Sequence, residues 1–356
     1  MIFRVLNYLA WIFLLSACSG PGYYLQAISG QWKLLHARQD VESILGSPLT
    51  PPALAAHLRT AGQIREFAQN KLDLPANGNY SSYVAVDGDA LLWNVVATEE
   101  FSLQPKKWCF LVAGCVPYRG FFKLQKAENS ALRLQNKGMD VYISPAAAFS
   151  SLGWFNDPLL STMFSGSETR LAAFLFHELA HQRLYLKGDG VFNEGYARFV
   201  EETGVRTWLI ANQKQNELLN WQLLQDANRD FTELIGEVRT ELSMVYQSNE
   251  TDTRKRELKA DIFNSLSESY AYLSEEKWQG IQYFGAWFEP PLNNAKLALY
   301  NTYESSHCAF KGLLDTARGN LREFHRLAAQ KSRLQKDERE KWLTQKCLTI
   351  ASHDDL

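Results

Sequence analysis

The sequence predicts an α+β fold, mostly helical with a small β-sheet, and three observations carry that expectation. Apolar residues recur at helical spacing before residue 75 and almost everywhere after 165. Strand-like runs rich in β-branched and aromatic residues are confined to 76–164. The 356-residue chain is 46% hydrophobic and 13% aromatic, which supplies a substantial core and sets disorder aside. Its net charge of −2 gives no electrostatic reason to expect nucleic acid as a partner.

In chain order, residues 1–17 read as a lipoprotein signal peptide: Arg4, an apolar stretch from Val5 to Leu15, then small residues. Leu15-Ser16-Ala17-Cys18 resembles a lipobox, which makes Cys18 the expected lipidation site. Acyl chains there would tether the protein to a bacterial envelope membrane, and Ser19 after the cysteine points to the outer membrane, facing the periplasm. Residues 18–75 form an N-terminal helical segment, with Tyr24, Leu25, Ile28, Trp32 and Leu35 at helical spacing. The β-rich segment 76–164 includes strand-like runs at 83–86, 91–96, 120–124 and 141–143, and Asp87-Gly88 suggests a hairpin between the first two. Residues 165–356 are a helical, metal-binding and C-terminal region, with one long amphipathic stretch from Gln213 to Leu273. Residues 18–356 are expected to form one compact body. With Cys18 committed to lipid, four cysteines remain, an even number for an oxidising compartment. The favoured pairs are Cys109–Cys115 and Cys308–Cys347, with four reduced thiols as the alternative.

The chemistry concentrates in two consecutive helices. Ser165-Gly166-Ser167-Glu168 fits a capping box, after which a helix runs to the Gly188-Asp189-Gly190 turn. It contains His177-Glu178-Leu179-Ala180-His181, the H-E-x-x-H pattern. A spacing of four puts both imidazoles on one face, one turn apart, where they can converge on a single metal. Glu178 lies beside them, placed to accept a proton from an activated water. A second helix begins near Phe192, and the tight turn lets it fold back so that Glu194 reaches the histidines as third ligand. Glu201, Glu202 and Asp189 are the alternatives. Two His, one Glu and an open position describe a catalytic zinc site rather than a closed structural one.

HELAHQ followed by NEGYARFVE resembles the gluzincin metallopeptidases, above all the HELAHQ…NEGFA pattern of the aminopeptidase-N class. The resemblance implies a zincin-like metallopeptidase fold with His177, His181 and Glu194 as zinc ligands and Glu178 as general base. Two departures stand: twelve residues separate His181 from Glu194, fewer than in that class, and no G-x-M-E-N segment precedes the helix. More of the chain is similar to a bacterial family of predicted aminopeptidases, which are lipoproteins. The segments GYYLQAISGQWKLL, CVPYRGFF, SSLGWFNDPLLSTMF, the helix pair and PPLNNAKLALYNTY carry that likeness in order.

The resemblance implies a zinc-dependent, aminopeptidase-like hydrolase of peptide bonds with one Zn2+ per chain and a peptide or protein as substrate. The alternative is a catalytically silent, metal-keeping envelope lipoprotein that acts as a binding or scaffold protein. Tyr300 and Tyr303 are candidates for the phenol that many gluzincins aim at the developing oxyanion, core packing being the plainer role. Tyr118 and Arg119 are candidates for a substrate carboxylate or carbonyl, and equally for an exposed loop. Asp157 could orient a histidine or simply form a turn. Asn293 and Asn294 read as a helix cap.

Overall fold

A computed structural model describes residues 21–75, 77–110, 114–146, 156–300 and 306–345. The chain is α+β, and it divides into two units that are interleaved in sequence. One unit comprises the described parts of Met1–Arg38, Val84–Phe149 and Glu233–Asn301; the other comprises those of Gln39–Tyr83, Ser150–Thr232 and Thr302–Leu356. Among the described residues no helix is long and apolar enough to cross a membrane.

The first unit is built on an antiparallel sheet in the order β6 (Arg119–Phe121), β3 (Leu92–Thr98), β7 (Asp140–Ala146). Val95 pairs with Arg119 on one side and Ile143 on the other. Val95, Ala97, Phe121 and Val141 form a small core with Ala127 and Ala131 of helix α4 (Leu124–Gln135). Helix α1 (Pro21–His36) docks on this unit through Tyr23, Gln26 and Gly30. The approach is close: a Cβ at Gly30 would stand 2.1 Å from the Phe122 ring. A short hairpin, β4 (Trp108–Phe110) with β5 (Gly114–Val116), is closed by a Cys109–Cys115 disulfide across paired positions. The later half of α7 (Gln215–Gln247), α8 (Asp252–Tyr272), α9 (Gly285–Phe288) and α10 (Asn294–Leu299) complete it. Asn293 caps α10 by accepting from the Lys296 amide.

The second unit is helical around one large core. Strands β1 (Gln39–Asp40), β2 (Ser82–Val84) and β8 (Leu159–Leu160) form a narrow sheet at its margin, and α2 (Val41–Gly46) follows β1. Helix α3 (Pro52–Leu72) starts on Pro52, whose missing amide costs nothing there. It buries Leu58, Ala61, Ile64, Ala68 and Leu72, a stripe whose alanines allow close helix approach. Against it packs α5 (Glu168–Arg183), which pairs with α6 (Gly190–Ala211). The C-terminal helices α11 (His307–Thr316), α12 (Leu321–Lys331) and α13 (Lys336–Leu343) close the core with Phe310, Phe324 and Leu343.

Four local expectations are corrected. The Asp87-Gly88 turn does not join a hairpin, because β2 pairs with β1 and β8 while β3 belongs to the other sheet. Residues 124–135 are helix within the stretch read as β-rich. The long amphipathic run after Gln213 is two helices, broken at 248–251, where the Thr251 hydroxyl caps the second. Ser167, not Ser165, caps α5, accepting from the Arg170 amide at 3.2 Å.

One buried network ties three helices of the second unit together. His325 is 2% exposed. Its Nε2 lies 2.8 Å from the Leu72 carbonyl, which can only accept, so Nε2 carries the proton and Nδ1 accepts from the Tyr196 hydroxyl at 2.7 Å. Burial, with the nearby Arg183 charge, pushes the His325 pKa down to about 4, against an opposing hydrogen bond to Leu72. The folded state therefore binds this proton less readily than the unfolded chain. The stability that His325 contributes is complete above about pH 6.5 and is lost as the pH falls toward 4. Urea unfolding at pH 7 and pH 5 should show wild type losing about 2 kcal/mol more than His325→Gln between the two. Equal losses would refute the assignment.

Candidate metal centre

The site begins with the helix pair of the second unit. Asp189 precedes α6, and its Oδ1 accepts from the Phe192 amide at 3.0 Å. Its other oxygen takes a two-pronged hydrogen bond from Arg339 of α13, with Nε at 2.8 Å and Nη2 at 2.5 Å. Both side chains are nearly buried, at 8% and 11% exposure, so neither charge can be left alone cheaply. Asp189→Asn keeps the cap acceptor but strands Arg339, and should cost about 3–5 kcal/mol of stability. Adding Arg339→Met should recover much of that loss in a denaturant titration; no recovery would mean the pair is not the cause.

The next residues each have a separate task. Gly188 in the turn adopts φ +84°, a left-handed conformation that favours glycine. Asn193 is buried and closes the turn twice, donating to the Leu186 carbonyl at 2.8 Å and accepting from its amide at 2.7 Å. Glu194 then points at α5. At Gly195 a Cβ would stand 2.2 Å from the Ser306 hydroxyl, so only glycine lets the chain before α11 approach. Tyr196 takes its place in the His325 network.

His177, His181 and Glu194 bring ligand atoms together within 4.8 Å of one another. The two Nε2 atoms are 3.2 Å apart; Glu194 Oε2 is 3.3 Å from His177 Nε2 and Oε1 is 3.6 Å from His181 Nε2. A tetrahedral ion with bonds of about 2.0–2.1 Å separates its ligand atoms by about 3.4 Å, close to the Nε2–Nε2 distance and to the distance from each imidazole to the nearer Glu194 oxygen, Oε2 for His177 and Oε1 for His181. His177 Nδ1 donates to Glu201 Oε2 at 3.0 Å, so Nε2 is the nitrogen that would face an ion once its own proton is displaced. Glu201 lies seven residues, two helical turns, after Glu194. One face of α6 thus serves both nitrogens of the same imidazole. Glu202 turns elsewhere, to Arg198 Nε at 3.0 Å and His307 Nδ1 at 3.2 Å.

The field of the site favours a cation. Burial works against charge on His177, yet hydrogen bonds to Glu194 and Glu201, with the Glu201 and Glu178 carboxylates, raise its pKa. For His181, burial and the neighbouring His177 charge lower it. Burial likewise opposes the Glu194 charge, but the His177 hydrogen bond and both histidines hold that carboxyl below its usual range. The two imidazoles therefore share one proton rather than two, and a bound divalent ion would take the place of that proton. His181 is almost enclosed, at 6% side-chain exposure, whereas Glu194 is 40% exposed, so the triangle opens on the Glu194 side.

Tyr118, Arg119 and Tyr300 belong to the first unit. Tyr118 is exposed, Arg119 lies 4.1 Å over the Tyr23 ring, and the Tyr300 ring is 6.4 Å from that of Trp287. Asp157 is buried; its amide donates to Asn79 Oδ1 at 2.7 Å and its carbonyl accepts from the Tyr80 amide at 2.6 Å. Tyr303, Cys18 and Cys347 lie outside the described residues; Cys308 is disulfide-bonded. Sequence reasoning missed two groups. Tyr80, buried with φ 58°, has its ionisation suppressed by burial and then by the Glu178 and Asp157 carboxylates. Asn79 holds the same loop to α5 by donating to Gln182 Oε1 at 2.8 Å. Only the Asn77-Gly78-Asn79 turn hinted at this loop.

A family model described as "Putative aminopeptidase" matches residues 22–343, nearly the whole described chain. The chain belongs to this family. The match includes α5 and α6, so the His-His-Glu group lies within the family's own span. No curated protein and no solved structure matches the chain significantly.

Proposed function

We propose that this aminopeptidase-family member is a zinc-dependent peptidase of the gluzincin kind, held by lipid at Cys18 in the bacterial envelope. The observation that carries the reading is the convergence of His177, His181 and Glu194, whose two Nε2 atoms and nearest carboxylate oxygens are 3.2–3.6 Å apart, backed by Glu201 on the far nitrogen of His177. Two imidazoles and a carboxylate with an open side suit zinc better than magnesium or calcium, which prefer all-oxygen sites.

When bound, zinc supplies Lewis acidity to an attacking water and to the scissile carbonyl. The chain does the rest. Glu178 takes the proton from the water and returns it to the nitrogen of the leaving amine. Glu201 fixes the tautomer and tilt of His177. The half-exposed Glu194 side is where a peptide enters.

Metal analysis of purified protein, coupled to digestion of a peptide library, tests this reading. About one zinc per chain with trimming from free amino termini is expected. Internal cleavage would keep the peptidase but remove the aminopeptidase label, and full zinc without any cleavage would favour a metal-keeping scaffold. For the tether, mass spectrometry of the mature amino terminus should find an acylated Cys18; an unmodified Cys18 in a membrane-free protein would sink it.

A further inference from the structure

Helix α1 is apolar on two sides. Its docked side carries Tyr23, which stacks on Phe110 at 5.3 Å, Gln26, which bonds the backbone of Gly120 and Phe122, and Gly30. On another side Leu25, Ile28 and Trp32 are 67%, 65% and 62% exposed. Their spacing, i, i+3 and i+7, makes one continuous stripe on a helix already satisfied through its docked side. Large apolar side chains grouped so are costly in water. Lys33 and His36 lie exposed beside the stripe, and the His36 ring is 3.9 Å from that of Trp32.

What covers the stripe follows from where it sits in the chain. Three residue steps separate Cys18 from Pro21, the first residue of α1. Even fully extended, they reach only about 10–11 Å. Whatever fastens the chain at Cys18 to a bilayer, acyl chains or an uncut Val5–Leu15 stretch, holds the first turn of α1 at the lipid surface. There a tryptophan and two aliphatic side chains flanked by a lysine have the composition of an interfacial helix.

We propose that α1 lies in the plane of the membrane interface, its Leu25, Ile28 and Trp32 side chains sunk among the lipid headgroups as a second anchor. The first unit, on which the helix docks, is thereby presented to the membrane in a fixed orientation rather than swinging on a flexible stalk. The inference rests on the membrane attachment at Cys18 proposed above, not on the peptidase chemistry.

The full chain, produced in a bacterial host and reconstituted into phosphatidylcholine–phosphatidylglycerol vesicles with acyl chains brominated near the headgroups, provides the test. Subtracting the emission of Trp32→Phe from that of wild type isolates Trp32 among the ten tryptophans of the sequence. At an interfacial depth of about 5–10 Å, the Trp32 component should fall at least about twofold in brominated over ordinary lipid. Leu25→Ser with Ile28→Ser should halve that quenching or more, with an unchanged thermal melt because both side chains are exposed. An unquenched Trp32 in membrane-bound protein would overturn the proposal. So would a stripe buried by a second copy, seen as a dimer in detergent that the double variant dissociates while quenching is absent.

Discussion

Glu178→Gln is expected to hold about one zinc ion per chain while peptide hydrolysis falls about 10²–10⁴-fold. The substitution keeps the side-chain volume and leaves His177, His181 and Glu194 in place. It removes the only thing a general base must have, a lone pair basic enough to take a proton from water and give it to the leaving nitrogen. It also removes one negative charge that supports a cation near His177, so zinc content must be read at saturating metal. The measurement is zinc per chain beside the rate on any peptide that wild type cleaves. A variant as fast as wild type would refute the hydrolytic role of Glu178, whatever its metal content.

The second large effect separates ligands from the groups that steady them. His177→Ala, His181→Ala and Glu194→Ala each remove one corner of the triangle and should lose the metal together with activity. Glu201→Gln removes no corner. It weakens the hydrogen bond that fixes His177 Nδ1, and should loosen metal binding about 10–100-fold without abolishing it. Glu202→Gln, one residue on, should leave affinity nearly unchanged because its partners are Arg198 and His307. A zinc-chelator competition series over the five variants reads the order directly. Equal affinity in wild type and Glu194→Ala would show that Glu194 is no ligand, and Glu202→Gln weaker than Glu201→Gln would reverse the assignment of the two carboxylates.

How legible this was depends on the length scale of each cause. The spacing of His177 and His181 is a property of a single helix, so four residues sufficed to place them on one face. The reach of Glu194 was legible because the turn around Gly188 is short. By contrast Glu201 could only be one rival among several, since its place behind His177 depends on how α5 and α6 cross. The glycine of Asn193-Glu194-Gly195 answers to Ser306, more than a hundred residues away, and no local pattern encodes that. Helix α4 was hidden because its buried face is made of Ala127, Ser130 and Ala131, too small to mark a hydrophobic period. The break at 248–251 is marked only by Ser248, Asn249 and Thr251, with no Gly or Pro, so the amphipathic run reads straight through it. The supposed hairpin at Asp87-Gly88 failed for the opposite reason: a strong local turn signal lost to pairing partners far away in sequence.

The order in which the segments are synthesised sets a timetable for the metal. Glu194 emerges 145 residues ahead of Arg339, whose guanidinium secures the Asp189 cap of the ligand-bearing helix. At about 5–20 residues per second, the histidines and Glu194 wait on the order of ten seconds before that clasp exists. The unit that holds them draws on the start, middle and end of the chain, so it cannot close ahead of the last helix. A growing or translocating polypeptide would carry H-E-x-x-H as a loose chelate and nothing more. Any choice of metal would thereby be deferred to the finished molecule, and would fall on the ion offered where the chain completes its fold.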